Sequence, residues 1–188
     1  AVFHTKYDDL QIAITNVTRV GPFIENAARA TVTGFELEAT AAPGLGWLIE
    51  SSVGYLDPKY KEIDTGATEV SLDSKFARIS SWTYSAAVSK ELELGSMGMI
   101  VPRVDWSYRS SFHSNSLNSP QIRQKGYHVL DANVMWRDAD DRYNFVVGVA
   151  NLTDEEYMVT GYVQPNFGNF EALYAREREW YVTARYKF

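Results

Sequence analysis

"EREWYVTARYKF", Glu177 to Phe188, closes the chain. Counting back from Phe188, alternate positions carry Phe188, Tyr186, Ala184, Val182 and Trp180. The positions between them carry Lys187, Arg185, Thr183, Tyr181 and Glu179. A period of two sends one set to each side of a pleated strand. A strand that stops on an aromatic must place that ring against something apolar. What that is decides between a soluble sheet and a sheet in lipid.

The same alternation recurs upstream. In "DDLQIAIT" the apolar set is Leu10, Ile12 and Ile14, against Asp9, Gln11 and Thr15. In "TGFELEATA", Phe35, Leu37, Ala39 and Ala41 oppose Gly34, Glu36, Glu38 and Thr40. "WLIESSVGY" sets Trp47, Ile49, Val53 and Tyr55 against Glu50, Ser52 and Gly54. "SWTYSAAVS" sets Trp82, Tyr84, Ala86 and Val88 against Ser81, Thr83, Ser85 and Ser89. "MIVPRVDWSYR" gives Ile100, Pro102, Val104, Trp106 and Tyr108 against Arg103, Asp105, Ser107 and Arg109. "VLDANVMWR" gives Leu130, Ala132, Val134 and Trp136 against Asp131, Asn133 and Arg137. "NFVVGVA" gives Phe145, Val147 and Val149 against Asn144 and Gly148. With the closing strand these make eight, and no stretch has helical periodicity, so the fold is expected to be all-β.

Two kinds of connection alternate along the chain. "PGLG" (Pro43 to Gly46), "LGS" (Leu94 to Ser96) and "DADD" (Asp138 to Asp141) are tight and carry Gly, Pro or Asp suited to corners. The connections near Val20 to Asn26, Glu62 to Ser74, Ser114 to Lys125 and Gly161 to Ala175 are long and polar. Strict alternation puts all tight turns at one end of an antiparallel meander and all long loops at the other. The alternating stretches run to about 9–12 residues, the length of a tilted transmembrane strand, whereas strands of soluble proteins have a mode of about 5–6. Glu36, Glu38, Glu50, Arg103, Asp105, Asp131, Asn133 and Arg185 share the polar faces, which suits a water-filled lumen. Trp47, Trp136, Tyr143 and Phe188 lie toward the tight turns, and Tyr55, Tyr84, Tyr108 and Trp180 toward the long loops. Two aromatic girdles with short turns on one side and long loops on the other predict an antiparallel up-and-down transmembrane β-barrel. Phe188 is then the interfacial ring at the periplasmic end.

Composition narrows the function. A net charge of −6 argues against a nucleic-acid partner, which needs a basic surface. With no Cys, thiolate metal sites and Cys nucleophiles are excluded. His4, His113 and His128 lack metal-ligand spacing, and no metal or other cofactor is expected. His113 stands among serines, but a hydrolase would need a base within reach and an orienting third group, so no catalytic residues are assigned. The acidic runs at Asp8–Asp9 and Asp138–Arg142 read as solvated charge at strand ends. "AVFHTKYDDL" has no basic region followed by an apolar one and reads as mid-strand, so the chain is expected to be part of something longer.

Three stretches resemble TonB-dependent outer-membrane receptors. "VANLTDEEYMV" (Val149 to Val159) is similar to the family's penultimate-strand signature in Asn151, Leu152, Asp154 and Tyr157, with Thr153 where Phe is usual. "REREWYVTARYKF" is similar to its closing strand, and the hairpin leading to Tyr55, Asp57 and Tyr60 to its Tyr-x-Asp-x-x-Tyr stretch. The resemblance implies that residues 1–188 are the C-terminal portion of such a barrel, about the last eight of 22 strands, with the plug domain lying outside this chain. It also implies uptake of a scarce bulky solute into the periplasm, with a ferric siderophore as the default cargo and energy from TonB acting through the plug region. The lipid bilayer and the outer-membrane assembly machinery are further partners, the latter reading Trp180, Tyr186 and Phe188. Loop aromatics and amides suit adaptable binding. The ligand candidates are therefore Tyr162, Gln164, Asn166, Phe167, Asn169 and Phe170, then Arg109, His113, Gln121 and Arg123. The alternatives are a small self-closed structural or adhesion barrel and an outer-membrane hydrolase.

Overall fold

The computed structural model describes residues 1–14, 23–63, 70–164 and 167–188. In chain order the strands are β1 (Val2–Ile14), β2 (Phe23–Gly44), β3 (Trp47–Ile63), β4 (Trp82–Lys90), β5 (Leu92–Glu93), β6 (Met99–Arg109) and β7 (Phe112–His113). They continue as β8 (Arg123–Gln124), β9 (Tyr127–Arg137), β10 (Tyr143–Ala150), β11 (Met158–Gln164), β12 (Asn169–Tyr174) and β13 (Glu179–Tyr186). The main sheet runs β1-β2-β3-β4-β6-β9-β10-β13, every pair antiparallel, with β5 attached to β6. All eight expected strands are present in the expected order. β1 and β13 stand at opposite ends of that order, so the sheet is an open wall and does not close on itself.

The register aligns the two faces across the sheet. Ala41, Ile49, Val88, Val104, Ala132, Val149 and Trp180 form one continuous row from β2 to β13. Thr40, Glu50, Ala87, Asp105 and Asp131 form the neighbouring row on the other face. Burial is inverted relative to a soluble domain. Leu37, Val147 and Val182 on the apolar side are 61%, 52% and 73% exposed, whereas Ser89 and Ala87 on the polar side are buried. In water such a contiguous apolar face would be an aggregation surface; facing hydrocarbon it is at its lowest free energy.

Aromatics bound this face at both ends. Toward the long loops Tyr55 packs on Trp82 at 4.6 Å, Tyr84 on Tyr108 at 5.7 Å and Tyr108 on His128 at 4.7 Å between ring centroids. Toward the tight turns Trp136 meets Phe145 at 5.8 Å and Tyr143 meets Tyr186 at 5.0 Å, with Phe188 against Tyr186 at 5.0 Å. From Phe35 down to Gly44, at about 3.3 Å per residue and a tilt of about 40°, a strand crosses an apolar band about 25 Å tall.

One tight turn is as expected, and several other local expectations are revised. The Pro43–Gly46 corner is a two-residue turn, with Leu45 and Gly46 at φ 53° and 79°, which matches the twist of a hairpin. The connection around Leu94–Ser96 is longer than a tight turn, since it holds β5 and a 3-10 turn at Gly95–Met97. β2 and β3 have 22 and 17 residues and extend beyond the long-loop girdle, so Phe23–Asn26 is strand, not loop. Gly161–Ala175 is largely the hairpin β11–β12, not an irregular loop. β1 pairs with β2 only from Phe35 outward, above the girdle. Its Leu10 and Ile12 therefore do not meet lipid: Ile12, Ala28, Ala30, Tyr60 and Val70 form a small core with Leu10, Ile63, Phe76 and Leu117. Thr15 lies outside the described residues, as does the bulk of the connections between β1 and β2 and between Ile63 and Val70.

Candidate functional site

The polar face carries a charged centre at mid-strand. Arg103 on β6 donates from Nη1 to Glu50 Oε2 on β3 at 2.6 Å and from Nε to Asp105 Oδ1 at 2.9 Å. Asp105 faces Asp131 of β9 directly across the ladder. Asp131 accepts the Asn151 amide at 2.7 Å. Glu50, Arg103, Asp105 and Asp131, with Ser85, Ala87 and Ser107, line a cavity of about 260 Å³.

The signature stretch after β10 is a built turn. Asn151 and Asp154 both have positive φ, 51° and 57°, which Asn and Asp tolerate better than other residues with a side chain. Asn151 Nδ2 donates to the Glu155 carbonyl at 2.9 Å, and Asn151 Oδ1 accepts the Glu155 amide at 2.9 Å. Asp154 Oδ1 accepts the Arg178 amide at 2.8 Å, joining this turn to the start of β13. Tyr157 stacks on Tyr127 at 4.2 Å. The turn therefore fixes how the β11–β12 hairpin leaves the wall. Thr153, the departure from the family pattern, is exposed.

Beyond the girdle, three connections lock together. Asn118 donates to the Lys75 carbonyl at 2.8 Å and accepts the Lys75 amide. The Arg78 amide donates to the His113 carbonyl at 2.7 Å. Gln124 accepts the Met158 amide at 2.7 Å. Ile122, fully buried at 0%, sits where a side chain on Gly161 would collide with it. Ile122 thereby keys the 110–126 connection to the hairpin.

The ligand candidates fall into two groups. Tyr162, Gln164 and Asn169 share one face of the hairpin, since Gln164 pairs with Asn169 and Tyr162 with Glu171. Phe170 pairs with Val163 and belongs to the opposite face, the one carrying Gly161. Phe167 at the tip is 75% exposed. Asn166 lies outside the described residues. Arg109, His113 and Arg123 come together around β7 and β8: Arg109 lies over the Phe112 ring at 5.2 Å, and His113 pairs with Arg123. Gln121 is exposed on the 3-10 turn at Pro120–Ile122. Burial and the charges of Arg123 and Lys75 push the His113 imidazole below its ordinary value, against the backbone of Asn118 and Ser119. His113 Nδ1 and Ser114 Oγ are buried and hydrogen-bonded to nothing among the described residues, so they are not a serine–base pair.

The sequence reading missed Ile122, Asn118 and Gln124, which join the loops. Their signal was weak: one apolar residue and two amides in a polar run. Trp180 and Tyr186 stand exposed on the apolar face of β13, and Phe188, two residues beyond its end, is exposed as well.

Comparison with known proteins identifies this architecture. Residues 1–152 match the family described as TonB dependent receptor-like, beta-barrel. The pesticin receptors of Yersinia enterocolitica and Yersinia pestis are each 28% identical over 165 residues, 87% of this chain and 23% of the relative. Among solved structures, the ferric yersiniabactin uptake receptor FyuA from Yersinia pestis superposes with a TM-score of 0.81 at 23% identity, covering 100% of this chain and 27% of that one. The siderophore receptor PiuA from Acinetobacter baumannii superposes with a TM-score of 0.71 at 16% identity, covering 97% and 24%. The chain thus spans about a quarter of the length of these relatives. It belongs to the TonB-dependent receptor β-barrel family, a family of receptors and transporters of the outer membrane, and forms part of such a barrel's wall.

Proposed function

We propose that this chain supplies wall and extracellular loops to an outer-membrane receptor that takes a scarce, bulky solute into the periplasm. An iron–siderophore complex is the proposed cargo, and TonB the source of energy. The rest of the barrel and a plug domain would complete the machine. The carrying observation is the inverted sheet: its apolar face is exposed, its other face gathers Glu50, Arg103, Asp105 and Asp131 around a cavity, and interlocked loops crown one end. A wall of that kind separates lipid from an aqueous passage. That two of the structural relatives are a ferric yersiniabactin uptake receptor and a siderophore receptor favours iron as cargo. Trp180, Tyr186 and Phe188 would be read by the outer-membrane assembly machinery.

Transport of radioactive iron by cells making the full-length receptor tests this reading. Uptake should require the receptor, and dissipating the inner-membrane proton gradient should abolish it. Uptake that continues without that gradient would contradict TonB coupling.

A further inference from the structure

The pairs β10–β13 and β11–β12 are two lengths of one hairpin. Ala150 pairs with Glu179 at the outer end of the first, and Met158 with Tyr174 at the inner end of the second. Between them the Ala175 amide donates to the Tyr157 carbonyl at 2.9 Å, and the Arg178 amide to Asp154 Oδ1 at 2.8 Å. The arm from Asn169 to Tyr186 therefore runs beside the arm from Tyr143 to Gln164, and the signature turn is a bulge in the latter. The outer edge of β13 thus continues into the outer edge of β12.

That edge is bare along its whole length. Among the described residues β13 pairs with β10 alone and β12 with β11 alone. Every residue of β13 and of β12 is exposed, whereas β10 alternates exposed residues with covered ones. In β13 the edge lies in hydrocarbon, where unpaired backbone groups are costly, so a strand from the rest of the barrel pairs with it. β12 lies beyond the girdle at Trp180, in water, yet Phe170, Leu173 and Tyr174 are 56%, 62% and 54% exposed. Ile122 meets the hairpin on its Gly161 face and does not cover this edge. An apolar edge in water is a template for another strand. The wall itself shows the pattern: β2 and β3 pair at the girdle through Phe35 and Tyr55, and stay paired outward to Ala28 and Ile63.

We propose that the strand closing the barrel on β13 runs on beyond the membrane and pairs with β12. The partner is an extended segment from the part of the receptor outside this chain. Backbone hydrogen bonds along β12 hold it, with apolar side chains over Phe170 on one face and Leu173 on the other. The proposal rests on the chain's place in a barrel wall and is independent of what the receptor carries. It makes the β11–β12 hairpin part of the closing seam, held on one face by Ile122 and along its edge by the added strand. Tyr162, Gln164 and Asn169 are then presented from a fixed support.

The test uses the full-length receptor in its membrane. A photoreactive benzoylphenylalanine replaces Val182 on β13 or Phe170 on β12, and the captured peptides are identified by mass spectrometry. Both probes should capture the same strand of the receptor's own chain, the Phe170 probe at residues further from the membrane. Within a hairpin, alternate amides of each strand point away from its partner. With a strand added, both sets in β12 should exchange hydrogen at least about a hundredfold more slowly than an unstructured peptide. Capture of lipopolysaccharide, of a second receptor copy or of a different segment by the Phe170 probe overturns the proposal, as does fast exchange of one alternate set. If the Val182 probe still captures a strand, the barrel wall stands and only its extracellular extension falls. If neither probe captures a strand of the same chain, both fall.

Discussion

The ring of Tyr181 on β13 occupies the space that a side chain on Gly148 would fill, its direct partner across the last hairpin. An Ala at 148 would push the ring aside into the lumen. The expectation is that Gly148→Ala and Tyr181→Ala each destabilise the hairpin by about 1 kcal/mol, through lost cross-strand packing. Because both remove the same contact, the double variant should be no worse than the worse single, with a coupling of about 0.5–1.5 kcal/mol in reversible unfolding. Simple additivity would show that the ring is not held there.

Val134 and Asn133 are neighbours on β9 that face opposite ways. Val134→Arg places a charge in hydrocarbon and should cost about 2–4 kcal/mol near mid-bilayer. Asn133→Arg enters the aqueous side and should be far milder. Equal costs, measured by unfolding of the intact barrel from lipid, would refute the facing.

Asn151 joins β10 to the loop hairpin through bonds in both directions with Glu155. Asn151→Ala leaves these buried groups unsatisfied and puts Ala at positive φ, for a loss of about 2–4 kcal/mol. Asn151→Gly relieves only the backbone part and should recover about 1 kcal/mol. The amount of folded, heat-modifiable protein in the outer membrane is the readout.

His113 has its proton affinity lowered, first by burial and then by Arg123. Its folded value thus lies below the unfolded one, near the ordinary 6.5. The contribution of the neutral ring to the loop joint is complete above that unfolded value and is lost as pH falls through the folded one. Hydrogen exchange at the amides of Arg78 and Ser114 should therefore quicken below about pH 6.5, and the change should vanish in His113→Asn. Exchange independent of pH beyond its intrinsic chemistry would remove His113 from this role.

Much of the wall could be read from the chain because each membrane-crossing strand has one face in lipid and one toward water. That contrast writes itself as alternation, as in Val104 against Arg103 or Val147 against Gly148. Alternation names two faces but not what covers each. Leu10 and Ile12 have the pattern of a lipid face, yet they pack on Tyr60 and Val70 above the girdle. The β11–β12 hairpin escaped notice because "GYVQPNFGNFEALY" mixes aromatics and amides without a sustained period of two. Its key, Ile122 against Gly161, joins residues far apart in sequence through the absence of a side chain. The candidate site was legible as residue types on loops; the division of Tyr162 and Phe170 onto opposite hairpin faces needed the register.

The central claim is that hydrocarbon wets one face and water the other. This chain has no Cys, so, with any cysteines elsewhere in the full-length receptor replaced by Ser, single cysteines can be placed along β10 at Asn144, Phe145, Val146 and Val147. Spin labels on these cysteines, measured in lipid, report oxygen against a water-soluble nickel chelate. The account predicts strict alternation, with oxygen favoured at positions 145 and 147 and the nickel chelate at 144 and 146. Uniform accessibility along the four, or the opposite phase, would contradict it.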